Sequence, residues 1–263
     1  PGIDAHTHKY IRTGQIDSKF GFALINGDFY KAIEKVKEYK NIELVGIHAH
    51  IGSQIFEIKP FLDEVEIMLK LLKEVNENND DINLTEVDLG GGIGVYYTEE
   101  DKPKTISEFC EAIINKADEV CEELNIKRPT LLIEPGRSLV ANAGSTIYTV
   151  GSIKEIKNVR TYVSVDGGMT DNIRPALYEA KYDMSIVNKL HEPADEKVTI
   201  AGKCCESGDI LMKDTYIQKP ERGDILAVFT TGAYCFSMFS NYNKNVRPAV
   251  VFVGNGEEKI VSK

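Results

Sequence analysis

Apolar residues in the first half of the chain recur at the spacing of amphipathic helices. Residues 60–76 carry them at intervals of three and four, and Pro60 suits a first helical turn, so a helix is predicted there. The apolar stripe of that helix consists of Phe61, Leu62, Val65, Leu69, Leu72 and Val75. An earlier helix is predicted from Asp28, as its capping residue, to about Lys40.

A capping box marks the start of a third helix. Thr105 and Glu108 have the spacing at which each side chain can bond the other's backbone amide, and the helical pattern continues to about Asn125. Short apolar runs separate or follow the helices. They predict buried strands over residues 43–48, 84–89 and 130–133.

Strands that alternate with helices in this way predict a parallel sheet with right-handed crossovers. Each predicted strand ends in a glycine-containing loop, at residues 48–53, 90–92 and 134–137. The spacings of 42 residues from His50 to Gly92 and 44 from Gly92 to Gly136 fit the units of a (β/α)₈ barrel, whose active sites lie at the carboxyl ends of the strands. A doubly wound sheet would give a similar pattern.

The second half of the chain has a different pattern. Short β-rich runs divided by Gly, Asp and Pro occupy residues 145–151, 161–165, 197–201 and 224–229. We therefore expect a second, mainly β domain, with a boundary near residues 140–150.

Charge and cysteine content narrow the functional classes. The chain has 31 basic and 41 acidic residues, a net charge of −10, which disfavours nucleic acid and anionic membranes as partners. No apolar run approaches the ~20 residues of a membrane helix. The five cysteines are an odd number without CxxC spacing, which argues against a disulfide framework or a structural zinc site and favours a reducing cytoplasm.

Two strand-end loops contain residues suited to an anionic, aromatic ligand. The run Gly90–Gly92 could let backbone N–H groups approach a phosphate, or could form only a tight turn. Glu134 could hydrogen-bond a ring nitrogen and keep it protonated, and Arg137 could pair with a carboxylate or phosphate. The alternative for Glu134 and Arg137 is a structural ion pair within a turn.

The loop after the first predicted strand contains two histidines. His48 and His50 alternate, so their side chains face opposite sides and are not expected to share a metal ion; no metal site is predicted. His50 could stack on an aromatic ring while Ser53 bonds a phosphate. A histidine at a strand end can equally be structural.

The β-rich half offers further candidates. A thiol in the segment Cys204–Asp209 could donate a proton and Glu206 could hold an ammonium group, although a buried cysteine beside a solvated loop would give the same sequence. Arg174 and Tyr178 are donors suited to a carboxylate, and Tyr234 follows a predicted strand. Taken singly, each could be an ordinary surface or core residue.

Together these segments resemble the fold type III, alanine-racemase-like decarboxylases, which use pyridoxal 5'-phosphate. Six motifs occur in the order of that family: Lys19–Gly21, His50–Gln54, Gly90–Gly92, Glu134–Arg137, Cys205–Asp209 and Gly232–Tyr234. Within the group the chain is most similar to the diaminopimelate decarboxylases, because of His50–Gln54, Met169–Tyr178 and Cys205–Asp209. Ornithine and arginine decarboxylases of this fold usually have Asp where Glu206 stands.

The resemblance implies conversion of meso-2,6-diaminopimelate to L-lysine and CO₂ in the cytoplasm, and it implies roles for the cofactor-binding residues. His50 would stack on the pyridoxal ring, and Glu134 would contact the pyridine nitrogen; both would be catalytic residues, together with Cys205. The phosphate would be held by Ser53, Gly92 and the Gly136–Arg137 segment, and Pro135 would also belong to the cofactor site.

The same resemblance implies how the substrate is held. Its distal carboxylate would be bound by Arg137, Arg174 and Tyr178, and its distal ammonium by Glu206. Cys205 would donate the proton, and Tyr234 would reach both cofactor and substrate. Because Cys205 and Glu206 come from the partner subunit in this family, a homodimer with shared active sites is implied.

In fold terms the resemblance implies an α/β part followed by an all-β part. Residues 1–143 would hold the last strands of a (β/α)₈ TIM barrel, and residues 144–263 a mainly β, Greek-key-like barrel domain. The family's Schiff-base lysine motif belongs to the first barrel strand and is not found, and Pro1–Phe22 resembles the family's segment after the fifth strand. We therefore expect a fragment that is inactive alone.

Two alternatives stay open. The protein could be another fold type III decarboxylase, acting on D-lysine, D-ornithine or a carboxylated polyamine. It could also be a catalytically dead pseudo-enzyme of the same fold. Residues upstream of Pro1 would separate the pseudo-enzyme from the enzymes, because a functional lysine motif there would exclude it.

Overall fold

The computed structural model describes residues 1–2 and 17–262. The chain forms two compact units, one of Pro1–Val95 with Lys102–Leu139 and one of Tyr96–Asp101 with Val140–Lys263. Most of the segment Pro1–Phe22, which resembles the chain after a fifth barrel strand, lies outside the described residues.

The first unit alternates helices with parallel strands. In chain order the elements are α1 Asp28–Val36, β1 Gly46–His48, α2 Lys59–Asn78, β2 Glu86–Asp88, α3 Ile106–Leu124, β3 Thr130–Leu132 and α4 Gly136–Val140. The three strands pair in parallel in the order β1-β2-β3. The predicted parallel α/β arrangement is confirmed, with each strand shorter than its apolar run.

Helix α2 begins as predicted, with a proline in its first turn. Its buried face differs in detail from the predicted stripe, because Leu62 is only half-buried while Glu64 and Met68 are buried. The rings of Phe61 and Phe109 pack edge to face at 5.2 Å, which joins α2 to α3 in the core of this unit. None of the described helices is long and apolar enough to cross a membrane.

The predicted helix starts had different outcomes. The capping box is present: Glu108 N–H donates to Thr105 Oγ1 and Thr105 N–H donates to Glu108 Oε2. The prediction that Asp28 caps α1 is wrong, because Gly27 is the cap and Asp28 is the first helical residue. Helix α1 also ends at Val36 rather than near Lys40, and the four residues after Val36 offer little apolar surface to bury.

The second unit is mainly β. Its strands are β4 Thr146–Ile156, β5 Arg160–Val165, β6 Met184–Ile186, β7 Glu196–Ala201, β8 Ile210–Ile217, β9 Ile225–Val228, β10 Val250–Gly254 and β11 Glu257–Ser262. Six of them form a sheet in the order β6-β9-β4-β5-β7-β8, and β10 and β11 form a separate antiparallel hairpin. Within the large sheet β5 and β7 are parallel and the other pairs antiparallel. A short helix, α5 Arg174–Tyr178, precedes β6.

Candidate functional site

The carboxyl ends of the three parallel strands lie side by side in the first unit. His48 on β1 is in register with Asp88 on β2, and Asp88 with Leu132 on β3. Backbone hydrogen bonds continue past the strand ends, with Glu134 N–H donating to Gly90 O over 2.6 Å. The three glycine-containing loops predicted from the sequence are therefore neighbours.

These loops approach so closely that two of their glycines are required. A Cβ atom on Gly91 would lie 2.2 Å from the carbonyl oxygen of Glu134, and one on Gly92 would lie 2.3 Å from that of Gly52. Gly92 also has a φ of 103°, which other residues rarely adopt. The glycine run therefore allows backbone-to-backbone contact between all three loops.

His50 is built into this contact as a hydrogen-bond acceptor. The backbone N–H of Gly91 donates to His50 Nδ1 over 3.1 Å, so the ring carries its proton on Nε2. Burial, with a smaller contribution from nearby His48, lowers the pKa of His50 below its ordinary value. The ring is therefore neutral at pH 7, and a flat, uncharged imidazole is suited to stacking on an aromatic ligand.

Arg137 joins the first and third loops. Its Nη2 donates to Ser53 Oγ over 2.8 Å, and the residue is only 7% exposed. The sequence-predicted cofactor residues of this unit thus lie on three adjoining loops: His50, Ser53, Gly92, Glu134, Pro135, Gly136 and Arg137. This set combines a flat ring, a hydroxyl, a guanidinium and a carboxylate.

Three side chains at the strand ends could also bracket a small cation. Nitrogen or carboxylate oxygen atoms of His48, Asp88 and Glu134 lie within 4.8 Å of one another, and His48 Nε2 is 3.6 Å from Glu134 Oε2. This group was not predicted from the sequence, where the alternation of His48 and His50 argued against a shared metal ion. Exposed acidic groups often lie together without an ion, so the arrangement alone assigns no metal.

The second unit contains a buried cation surrounded by tyrosines. Arg174, the first residue of α5, is 6% exposed and donates from Nη1 to the hydroxyl of Tyr182. Its guanidinium carbon lies 5.2–5.9 Å from the centres of four phenol rings, those of Tyr97, Tyr178, Tyr182 and Tyr234. Within the described part of the chain, no carboxylate forms an ion pair with Arg174.

Three of the predicted substrate residues, Arg174, Tyr178 and Tyr234, lie in this cluster. Two further tyrosines in it were not predicted from the sequence. Tyr97 lies far away in the sequence, and Tyr182 lies beyond the end of α5. The available signal for Tyr182 was its place four residues after Tyr178, a predicted substrate residue. Nothing local pointed to Tyr97.

The segment Cys204–Asp209 forms a loop held by a buried carboxylate. Asp209 Oδ1 accepts from Met169 N–H over 2.6 Å, and Oδ2 accepts from Cys204 N–H over 2.8 Å. Cβ atoms on Gly168 and Gly202 would lie 2.5 Å and 2.1 Å from the Asp209 carboxylate. Asp209 therefore joins two loops that pack tightly around it.

The two thiols of this loop differ in environment. Cys205 is exposed, as is Glu206, and Cys205 N–H donates to Asn243 Oδ1 over 3.1 Å. Cys204 is partly buried, and Asn245 Nδ2 approaches its Sγ at 3.6 Å. Burial, together with Asp209, raises the pKa of the Cys204 thiol.

The chain is similar to known decarboxylases in sequence. Residues 1–141 match the family model described as pyridoxal-dependent decarboxylase, pyridoxal binding domain. The diaminopimelate decarboxylase of Bacillus subtilis is 52% identical over all of this chain and 60% of its own length. That of Staphylococcus aureus is 47% identical, over 100% of this chain and 61% of its own.

Solved structures agree with this similarity. Diaminopimelate decarboxylase from Helicobacter pylori, complexed with L-lysine, superposes with a TM-score of 0.87 at 32% identity and covers 100% of this chain and 62% of its own. Diaminopimelate decarboxylase from M. jannaschii, also in complex with L-lysine, superposes with a TM-score of 0.88 at 37% identity. That superposition covers 100% of this chain and 59% of the M. jannaschii chain. The chain thus spans about 60% of the length of these relatives.

Proposed function

This chain belongs to the pyridoxal-dependent decarboxylase family, and from that premise we propose that the whole protein decarboxylates meso-2,6-diaminopimelate to L-lysine. The relatives that support this substrate are themselves named diaminopimelate decarboxylase and cover the full chain. The observation that carries the proposal is the buried guanidinium of Arg174, which has no acidic partner among the described residues.

The strand-end loops fit pyridoxal phosphate in their chemistry. The neutral, flat ring of His50 would stack on the pyridine ring, and the carboxylate of Glu134 would bond the pyridine nitrogen. Ser53, Gly92 and the Gly136–Arg137 segment would hold the phosphate, and Pro135 would also line the cofactor site. When bound, the cofactor would supply an electron sink for the electron pair that stays on the substrate carbon when CO₂ departs.

Arg174 would bind the second carboxylate of the substrate. A buried cation is costly unless an anion or several dipoles compensate it, and among the described residues four phenol rings border this one while no carboxylate forms an ion pair with it. A carboxylate that entered the cluster would gain charge-assisted hydrogen bonds from Arg174 and from the hydroxyl of Tyr178. Arg137 would assist, and Tyr234 would reach both cofactor and substrate.

Protonation would follow from the exposed loop of the second unit. Cys205 Sγ would donate its proton to the carbon that has lost CO₂, which completes L-lysine. Glu206 would accept hydrogen bonds from the distal ammonium of the substrate. Exposure of both side chains suits a task performed in the site of another subunit, and we propose a homodimer with shared active sites.

The proposal extends to domains and location. Residues 1–143 would supply the last strands of a (β/α)₈ barrel, supported by the parallel order β1-β2-β3. Residues 144–263 would form a Greek-key-like β-barrel domain, supported by the six-stranded sheet. A cytoplasmic enzyme is proposed because the five cysteines are an odd number without CxxC spacing and because of the named relatives.

The test uses the whole protein, purified with pyridoxal phosphate. We would measure CO₂ release and identify the product with meso-diaminopimelate, D-lysine, D-ornithine and a carboxylated polyamine at equal concentrations. The proposal expects L-lysine from meso-diaminopimelate as the dominant product. Preferential turnover of another substrate would replace the assignment, and turnover of none with cofactor bound would identify a pseudo-enzyme.

A further inference from the structure

Arg174 is held by an unusual partner for a buried guanidinium. Buried arginines are commonly compensated by a carboxylate, because removing the charge from water is costly. Here the hydrogen-bond acceptor is the phenol oxygen of Tyr182, a neutral group. A neutral acceptor fixes the guanidinium in place without cancelling its charge.

Tyr182 is itself fixed on several sides. It is 1% exposed, and its ring packs edge to face against Tyr97 with the centres 5.1 Å apart. Its hydroxyl lies 3.5 Å from Cys235 Sγ, and Cys235 Sγ donates to Asn172 Oδ1 over 3.5 Å. A chain of contacts therefore runs from Asn172 through Cys235 and Tyr182 to Arg174.

The phenol of Tyr182 stays neutral at physiological pH. Burial raises the pKa of Tyr182 well above its ordinary value of 10, although the charge of Arg174 acts in the opposite direction. At pH 7 the hydroxyl is therefore protonated. Its oxygen accepts from Arg174, and its own proton is free to point toward Cys235.

We propose that Tyr182 is a positioning and specificity-determining residue, which orients the guanidinium of Arg174 through a neutral acceptor so that its full charge meets a second carboxylate on the substrate. This inference rests on the proposed function, because the second carboxylate is that of diaminopimelate. It adds to the family resemblance a residue that the family motifs do not include.

Tyr182→Phe in the whole protein tests the role. The ring and its packing remain, while the acceptor for Arg174 is lost. We expect KM for meso-diaminopimelate to rise roughly 10- to 100-fold, the size of one charge-assisted hydrogen bond, with kcat changed less than about threefold. The kcat/KM for D-lysine, which lacks the second carboxylate, should stay within about threefold of the wild type.

Tyr148→Phe is the matched control. Tyr148 is also a buried tyrosine of the second unit, and its hydroxyl donates to Asp171. Loss of the Tyr148 hydroxyl should lower the melting temperature. It should not change the ratio of kcat/KM for meso-diaminopimelate to kcat/KM for D-lysine. A merely structural role for Tyr182 predicts the same behaviour for Tyr182→Phe, and an unchanged ratio in that variant would overturn the proposal.

A second variant covers the case in which Tyr182→Phe does not fold. Cys235→Ala removes the thiol beside the phenol oxygen and leaves both Tyr182 and Arg174 in place. We expect a smaller rise in KM for diaminopimelate, roughly threefold, at constant kcat; an unchanged KM would overturn the inference. A wild-type protein without activity on diaminopimelate would instead overturn the proposed function.

Discussion

The imidazole of His50 accepts a hydrogen bond at Nδ1 from the backbone N–H of Gly91, over 3.1 Å. This contact ties the loop after β1 to the loop after β2, and it requires that Nδ1 carry no proton. The lowered pKa of His50, caused first by burial, keeps it so at neutral pH. The contact therefore fixes the tautomer of the ring, and burial keeps the ring uncharged. This is the ring that we propose stacks on the cofactor.

The first prediction separates the two tasks of His50. In the whole protein His50→Phe keeps a flat ring but leaves the buried N–H of Gly91 without its acceptor, so affinity for pyridoxal phosphate should fall by roughly tenfold. His50→Ala also loses the stacking surface and should fall further. Fluorescence titration with the cofactor measures both. His191→Ala, at an exposed histidine, should bind like the wild type; equal affinities for all three variants would remove His50 from cofactor binding.

The second prediction concerns Glu64, which is fully buried in α2 with neither carboxylate oxygen hydrogen-bonded to a described residue. Burial raises its pKa from 4.5 to about 9. Between these values the folded carboxyl keeps a proton that the unfolded chain has released. The free energy of unfolding should therefore fall as pH rises, by at most ~1.4 kcal/mol per pH unit.

Thermal unfolding of the whole protein between pH 5 and 8 checks this slope. Glu64→Gln removes the titrating group, so its melting temperature should depend less on pH than that of the wild type. The control is Glu66→Gln, at a neighbouring glutamate that pairs with Lys70. Its melting temperature should fall with rising pH as steeply as that of the wild type, because Glu64 is still present. Identical pH dependence in the wild type and Glu64→Gln would contradict a raised pKa.

The third prediction distinguishes adjacent thiols. Cys205 is exposed, whereas burial raises the pKa of Cys204 and so disfavours its reactive thiolate. Iodoacetamide should alkylate Cys205 before Cys204, as peptide mapping would show. Cys205→Ala in the whole protein should lose most of its L-lysine production, while Cys204→Ala stays active. If Cys204→Ala lost activity while Cys205→Ala stayed active, Cys204 would be the proton donor instead.

The fourth prediction tests the anchor of the Cys205 loop. Both oxygens of Asp209 accept from backbone amides, so Asp209→Asn must place its NH₂ group against one donor and release one loop. We expect a loss of about 1–3 kcal/mol in stability and a changed rate of Cys205 alkylation.

Asp224→Asn is the control for Asp209→Asn. Asp224 is another buried carboxylate of the second unit, and it accepts from Glu221 N–H and Asn188 Nδ2. Its variant should lose stability while Cys205 reacts at the wild-type rate. The same alkylation rate in both variants would leave Asp209 with no role in positioning the thiol.

Local sequence signals predicted the parts of the structure that depend on local interactions. The capping box at Thr105 needs only residues three apart, and it is present. The prediction of Asp28 as the cap of α1 was wrong, because Gly27, which has a positive φ, occupies the N-cap position and Asp28 is the first helical residue. Burial of Glu64 was not anticipated, since a charged residue inside an apolar stripe suggests a helix edge rather than its buried face.

Contacts between distant residues could not be predicted from the sequence in the same way. Glycine and histidine motifs marked the loops, but the hydrogen bond between Gly91 and His50 depends on strand register. The tyrosine cluster combines residues from 97 to 234, and periodicity carries no information about such a contact. Arg174 alone was indistinguishable from an ordinary surface or core arginine until its burial was seen.

The most direct test of the central claim, that Arg174 selects a substrate with a second carboxylate, compares kcat/KM of the whole protein for meso-diaminopimelate and D-lysine. D-lysine lacks the second carboxylate and so cannot form two charge-assisted hydrogen bonds, each worth about 1.5–3 kcal/mol. The kcat/KM of the wild type should therefore be higher for diaminopimelate by roughly two to four decades. Arg174→Met should narrow that preference mainly by lowering kcat/KM for the dicarboxylate. Comparable values for both substrates in the wild type, or an unchanged preference in Arg174→Met, would contradict the account.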